Sequence, residues 1–327
     1  MKYRTLGTTD MQVSAIALGA WTFGGGRTWG DVNEADSIAT IHAALDAGIN
    51  FIDTAEGYDD SEEICGKALS ARRKDVIIAT KVGPRSLSKD AMQAACEKSL
   101  RRLQTDYIDL YQIHWPSRAI PLSETWEALE RLRDEGKIRA IGVSNFGVGD
   151  LADLRAVGRA ETNQLPYNLL WRAIEYDIAP VCHKDGTGIL CYSSLAQGLL
   201  TGKFASADDV PSGRARTKHF SKNRPDTRHS EAGCEEEVFA AIAKLRELSQ
   251  RLNAPMADVA LAWLLHQPGV TSVIAGARTP EQLTQNVAAA DLALSADILA
   301  ELDAITAGIK EQLGRDPDMW SSESRFQ

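Results

Sequence analysis

Asp53, Tyr58, Lys81 and His114 bring a carboxylate, a phenol, an ammonium and an imidazole to the ends of short apolar runs. Ile49, Phe51 and Ile52 lead to Asp53, with Tyr58 in the loop beyond. The run Val76-Ile77-Ile78-Ala79-Thr80 leads to Lys81, and the run from Tyr107 to Ile113 leads to His114. A carboxylate buried at a strand end without a partner costs roughly several kcal/mol even after relaxation. Lys81 is the partner that the sequence offers, so the chemistry in view is a buried ion pair beside a phenol. Singly, each residue has an ordinary reading: Asp53 as a helix cap, Lys81 as a solvated strand end, His114 as a core histidine, Tyr58 as a loop aromatic. Together they point to a site, because parallel α/β proteins build sites where strand ends gather on one face.

The runs that carry these residues belong to a repeating series. Strand starts at Ala15, Ile49, Val76, Tyr107, Ile138, Thr162, Ile189 and Ser272 alternate with amphipathic helices. One helix begins near Asn33 with Ile38, Ile41 and Leu45 on one face and stops at Gly48; another presents Ala94, Leu100 and Leu103. Pro121 opens a third that ends at Gly136, a further one spans about 174–184, and Val238, Ile242, Leu245 and Leu252 mark a long one. Eight such units predict an α/β fold of the closed (β/α)8 TIM barrel type. A hairpin over residues 3–14, turning at Gly7-Thr8-Thr9-Asp10, precedes it. The whole of 1–327 reads as one domain, with a polar loop over 205–233 and a tail over 308–327. In a closed parallel barrel every strand ends at the same mouth, which would gather Asp53, Lys81, His114, Asn145, Gln164 and Tyr192. The loop Trp21-Thr22-Phe23-Gly24-Gly25-Gly26 lacks the spacing of the common phosphate-binding fingerprints and is expected to line a cleft.

Composition narrows the function classes. With 36 basic and 45 acidic residues the net charge is −9, which argues against a broad nucleic-acid surface. Cys65, Cys96, Cys182, Cys191 and Cys234 are odd in number and unclustered, a pattern of free core thiols in a reducing compartment. The start, Met1-Lys2-Tyr3-Arg4-Thr5-Leu6-Gly7, has no secretory apolar region, and no run approaches about 18 apolar residues. A cytoplasmic protein with a small-molecule partner, without nucleic acid or membrane, is expected.

Over essentially its whole length the chain resembles the aldo-keto reductase family. The resemblance is carried by Asp53-Thr54-Ala55 with Tyr58, Ala79-Thr80-Lys81, Gln112-Ile113-His114-Trp115-Pro116, Gly142-Val143-Ser144-Asn145-Phe146, Asn163-Gln164 and Gly198-Leu199-Leu200-Thr201-Gly202-Lys203. The chain looks most like the bacterial inositol-utilisation and general-stress reductases and the potassium-channel β subunits. The resemblance implies hydride transfer from NADPH to an aldehyde or ketone. Tyr58 would be the general acid, Lys81 and Asp53 its tuning pair, and His114 the group that orients the carbonyl. An ammonium at ~4 Å in an effective dielectric of ~20 favours a phenolate by about 4 kcal/mol, or roughly three pKa units, before competing effects. A lowered Tyr58 pKa is therefore expected.

By the same resemblance Ser144, Asn145 and Gln164 would hold the nicotinamide carboxamide and Tyr192 would stack on its ring, although a strand aromatic is also a common core residue. Leu195, Gln197, Gly198, Leu199 and Lys203 would follow the pyrophosphate, Gly198 by close backbone approach. Gly276, Arg278, Gln282, Gln285 and Asn286 fall where relatives bind the adenosine end. Arg278 suits a 2'-phosphate, which favours NADP over NAD. The chain departs from many relatives at Asp59, where they have Gly, and at Ser194, where they have Pro. Trp21, Trp29 and Trp115, with Trp171 and Trp320, are candidate walls of a substrate cleft for a keto-sugar or an apolar carbonyl compound. The loop residues Arg214, Arg216, Lys218, His219, Lys222, Arg224, Arg228 and His229 read as a solvated loop or as a lid. Two other functions compete: a regulatory subunit of the channel-β type that binds cofactor without turnover, and a physiological polyol or alcohol dehydrogenase. A metal-dependent barrel hydrolase would need clustered ligands at the strand ends, where His114 is the one histidine.

Overall fold

Short β-branched and aliphatic runs, each followed by an amphipathic helix, close into a ring in the computed structural model, which describes every residue except Arg27 and Thr28. A two-stranded antiparallel hairpin, β1 (Tyr3–Thr5) and β2 (Gln12–Ser14), comes first. The parallel strands are β3 (Ile16–Gly19), β4 (Phe51–Asp53), β5 (Ile77–Val82), β6 (Ile108–Ile113), β7 (Ile138–Ser144), β8 (Thr162–Pro166), β9 (Gly188–Tyr192) and β10 (Val270–Gly276). They pair in sequence order and β10 returns to β3, which makes the fold a (β/α)8 TIM barrel.

The barrel has two hydrophobic layers. Ala17, Phe51, Ala79, Leu110, Ala140, Leu190 and Ile274 point inward, and Leu6, Met11 and Val13 from the hairpin fill the end opposite the mouth. The outward-facing residues pack against the helices in one large continuous core. Side chains in a strand alternate with period two. The residue two places beyond an inward one is therefore inward again and nearer the mouth. Phe51 leads in this way to Asp53, Ala79 to Lys81, Leu110 to Gln112 and then to His114, and Leu190 to Tyr192.

Local chemistry explains the helix ends. Asn33 caps the helix Glu34–Asp46 by accepting from the amides of Ala35 and Asp36, and Pro121 precedes the helix Leu122–Asp134. Three expectations need correction. The helix Lys89–Leu103 buries Met92, Ala95, Cys96, Ser99 and Leu103, and Ala94 is exposed one position off that face. The segment 174–184 is not one helix: a 3-10 turn, Ala173–Glu175, is followed by the helix Ile178–Asp185. Pro180 has no amide proton to give and sits in the first turn of that helix, where its missing donor does no harm. The last helix, Ala296–Leu313, runs beyond 308, so the tail begins at Gly314.

The segment 205–233 has little regular structure but is tied down. Arg224 pairs with Glu235 at 2.9 Å, Lys218 with Asp316 at 2.6 Å, and His219 Nε2 lies 2.8 Å from the carbonyl of Leu170. Among the described residues, no helix is long and apolar enough to cross a membrane.

Candidate active site

At the carboxyl ends of β4 and β5, the fully buried Lys81 ammonium donates to Asp53 Oδ1 at 2.6 Å, to the Thr54 carbonyl at 2.8 Å and to the Tyr58 hydroxyl at 3.4 Å. The other oxygen of Asp53 accepts from Gln164 Nε2 at 2.8 Å and from Gln112 Nε2 at 3.3 Å. Both carboxylate oxygens are thus held, and the buried charge has the partner it requires. The Tyr58 ring stacks on Trp21 with centroids 5.7 Å apart and meets His114 edge-on at 5.6 Å. The four candidate catalytic residues therefore form one contiguous group.

Electrostatics separate their roles. Burial alone would lower the Lys81 pKa, but Asp53 and then Tyr58 more than reverse this, and Lys81 is raised and stays an ammonium. Burial raises the Tyr58 phenol; Lys81 pulls it down and Asp53 pushes it up, for a net rise. The expected lowering is therefore corrected, because desolvation of the phenolate outweighs the attraction of the ammonium. His114 is pushed down to about 3, chiefly by burial and then by Lys81 and Arg325, so it is a neutral imidazole. Asp59 is exposed and is not among the groups that shift Tyr58; it occupies a left-handed backbone position with φ +47°, a conformation natural to Gly.

Around this group, Tyr192 donates its hydroxyl to Asn145 Oδ1 at 2.9 Å. Asn145 Nδ2 donates to the His114 carbonyl and to Ser144 Oγ, both at 3.0 Å, and Ser144 Oγ donates to the main-chain carbonyl of Gln164 at 2.9 Å. Ser194, in the place of a proline, donates to the Ile274 carbonyl at 2.7 Å and ties the loop after β9 to β10.

A cavity of about 930 Å³ opens above these residues. Asp53, Tyr58, His114, Ser144, Asn145, Gln164 and Tyr192 line its base, and Trp21, Trp29, Trp115 and Trp320 its walls. Leu195, Gln197, Gly198 and Lys203 line one side, with Gly276, Arg278, Gln282, Gln285 and Asn286 beyond. Two expected residues stand elsewhere. Leu199 is packed in the core, and Trp171 is fully buried with its Nε1 donating to the Pro317 carbonyl. Of the basic loop residues, Arg214, Arg216 and Arg228 reach the cavity. Lys218, His219 and His229 are buried in the loop itself, and Arg224 is paired with Glu235.

Several groups suit an anionic, extended ligand. The chain passes through left-handed conformations at Gln197 (φ +55°) and Gly198 (φ +99°). A Cβ on Gly198 would stand 3.1 Å from the Lys203 side chain, so the bare backbone keeps that passage clear. Both amide atoms of the Gln197 side chain are buried without a partner. Lys203 is lowered by burial and then by Arg214 and Arg278, and Arg214 by burial and then by Arg278, a mutually repelling trio. Gln112 was read from the sequence only as part of the His114 motif, without a role, and Arg325 was not singled out at all. Gln112 was detectable, since it lies two positions before His114 on the same strand face. Arg325 carried no such signal: it lies 3.5 Å above the Trp115 ring because the tail folds back and Asp318 grips its guanidinium.

A family model described as "Aldo/keto reductase family" matches residues 15–307. The chain is 40% identical over 301 residues to the aldo-keto reductase YhdN of Bacillus subtilis, covering 86% of this chain and 87% of that protein. It is 36% identical over 320 residues to an NADH-specific methylglyoxal reductase of Escherichia coli, covering 90% and 95%. Among solved structures it is similar to an aldo/keto reductase of Klebsiella pneumoniae in complex with NADP and acetate, with a TM-score of 0.75, 33% identity and coverage of 94% and 96%. With the Asp53, Lys81, Tyr58 and His114 group at the mouth of a closed parallel barrel, the chain belongs to the aldo/keto reductase family.

Proposed function

We propose that this oxidoreductase reduces a small aldehyde or ketone to the alcohol with NADPH, and that Tyr58 is its proton donor. The observation that carries this reading is the Lys81 ammonium, bonded at once to Asp53 and to the Tyr58 hydroxyl at the base of the cavity. The residues present fit the cofactor. Lys203, Arg214 and Arg278 are crowded cations without carboxylate partners among the described residues, as a pyrophosphate and a further phosphate would require. A relative named as NADH-specific and a structural neighbour solved with NADP differ on the nucleotide. Arg278, with one guanidinium nitrogen committed to the Asp31 carbonyl, keeps donors for a 2'-phosphate and favours NADP.

When bound, the reduced nicotinamide supplies a hydride to the carbonyl carbon. As the carbonyl π pair moves onto oxygen, Tyr58 gives its hydroxyl proton to that oxygen, and the alcohol forms. The phenolate left behind faces the Lys81 ammonium, which Asp53 keeps charged and in place. Neutral His114 donates one ring N–H to the same oxygen and orients it. Ser144, Asn145 and Gln164 are assigned to the carboxamide; the Gln164 amide nitrogen is committed to Asp53, so its amide oxygen is the atom free for this. Tyr192 offers its ring face to the nicotinamide. Run backwards, the Tyr58 phenolate takes the proton from an alcohol. The five free, buried cysteines accord with a cytoplasmic setting.

NADPH oxidation measured with a panel of aldehydes, ketones and keto-sugars tests this reading. Tyr58→Phe should lower kcat by at least about 100-fold while NADPH still binds. Undiminished turnover by Tyr58→Phe overturns the assignment of the proton donor. Tight NADPH binding without turnover of any carbonyl compound points instead to a regulatory subunit of the channel-β type.

A further inference from the structure

The reaction described above has no use for Arg216 or Arg228, yet both line the cavity. Arg216 lies in the segment 205–233 with its guanidinium carbon 5.0 Å from the centre of the Trp320 ring. Its Nε is buried without a hydrogen-bond partner, and among the described residues the side chain forms no ion pair. Burial and then Arg228 lower its pKa, and Asp226 offsets only part of this. A buried guanidinium nitrogen without an acceptor, next to a second cation, is unfavourable in the free protein. A ligand that supplies acceptor oxygens removes that penalty, and a carboxylate or phosphate matches the planar fork of a guanidinium.

The cavity holds two separate groups of positive charge. Arg214 stands 5.3 Å over the Trp29 ring and shares its surroundings with Lys203 and Arg278, whereas Arg216 stands 5.0 Å over the Trp320 ring with Arg228 and the opposing carboxylate of Asp226 near it. The first group fits the phosphates of the cofactor. The second stands on another wall: the Trp320 indole under Arg216 packs against the buried cluster of Trp171, Ala173 and Met319, as does Tyr192, whose hydroxyl is bonded to Asn145, which in turn is bonded to the His114 carbonyl. That wall adjoins the reacting end of the site. Arg325, the other arginine nearby, is already gripped by Asp318 and lies flat on Trp115, so it shapes the cleft rather than offering free donors.

We infer that Arg216, assisted by Arg228, binds an anionic group on the substrate, so that the preferred carbonyl compound carries a carboxylate or phosphate away from the reacting carbon. The inference rests on the reductase reading and adds the substrate class to it. Trp320 serves as the platform that holds the guanidinium at the cleft wall.

The test uses the full chain with NADPH and matched pairs of aldehydes, glyceraldehyde against glyceraldehyde 3-phosphate and benzaldehyde against 4-carboxybenzaldehyde. The wild type should prefer the charged member of at least one pair, and the pair preferred distinguishes phosphate from carboxylate. Arg216→Gln should reduce the charged-to-neutral ratio of kcat/KM at least tenfold, mainly through KM, and Arg216→Lys should restore part of it. A wild type that prefers the neutral member of both pairs overturns the inference. So does an Arg216→Gln variant with an unchanged ratio, or one whose main defect is weaker NADPH binding. If NADPH binds but no aldehyde turns over, the reductase reading fails on its own. The subsite is then read from the binding of glyceraldehyde 3-phosphate and 4-carboxybenzaldehyde to the NADPH-loaded protein by calorimetry: binding lost in Arg216→Gln sustains it, and absence of binding to the wild type ends it.

Discussion

At the scale of single residues, Asp53 is the fixed point of the site. Its carboxylate takes Lys81 on one oxygen and two glutamine amides on the other, so it can neither rotate nor dissociate from the lysine without leaving a buried polar group unpaired. Lys81→Met leaves that carboxylate uncompensated, and loss of one partner of a buried pair costs about 3–5 kcal/mol. Thermal denaturation should show a Tm lower by roughly 5–10 °C, together with a loss of turnover. The upward shift of Tyr58 has its own consequence: the phenol keeps its proton through neutral pH, so kcat/KM for reduction should stay level there and fall only above the ordinary phenol range, about pH 10. A pH–rate profile that falls already between pH 6 and 8 would contradict this assignment.

His219 makes a different pH prediction. It is buried with a pKa pushed down to about 4, so the unfolded chain takes up its proton near pH 6.5 while the folded one does not. Its contribution to stability is thus complete above pH 6.5 and declines as the pH falls towards 4, by roughly 3 kcal/mol in all. Denaturant titrations at pH 7 and pH 4.5 should show the loss, and His219→Gln should reduce the difference.

At the scale of elements, short apolar runs alternating with amphipathic helices carried most of what was legible in advance. They placed Asp53, Lys81, His114 and Tyr192 at the same ends of parallel strands, and period-two alternation along β6 then reaches Gln112. The pairing of Lys81 with Asp53 was legible because a buried charge demands an opposite one. The net rise of Tyr58 was not, since it depends on how much water the surrounding walls exclude. The fate of Trp171 depended in the same way on a tail almost one hundred and fifty residues further on, whose Pro317 carbonyl accepts its indole proton. Helix packing was equally hidden. Gly66, in the helix Ser61–Leu69, faces the end of Lys89–Leu103 so closely that a Cβ would stand 2.4 Å from the Arg102 carbonyl oxygen. Backbone cannot step aside as a side chain does, so Gly66→Ala should destabilise the fold by about 1–3 kcal/mol. The same helix begins at Ser61, which bonds to Thr54 and to the Ala20 carbonyl beside the site. A melting curve and an activity assay on Gly66→Ala should therefore both decline.

At the scale of the whole molecule, the mouth of the barrel is covered by two segments that hold each other. Lys218 pairs with Asp316, the Lys218 amide bonds to the Met319 carbonyl, and Ser230 bonds to Ser322. Within the tail, the fully buried Asp318 receives Arg325 through two nitrogens and the backbone amides of Trp320 and Arg325. Asp318→Asn removes the charge at nearly constant volume and should release Arg325 from Trp115. Limited proteolysis should cut the tail several-fold faster, and KM should rise more than kcat falls.

Closure of the ring makes a demand on folding. β3 finds its partner in β10, with Ile16 opposite Val273, so the seam joins segments from nearly opposite ends of the chain, while every other parallel pair joins neighbours in sequence. During synthesis the strands from β3 to β9 can associate one after another, but two open sheet edges persist until β10 has been made. Such edges are templates for mispairing with other chains. The later β10 follows β9 during synthesis, the longer the edges of β3 and β9 stay open to such mispairing before the ring can close.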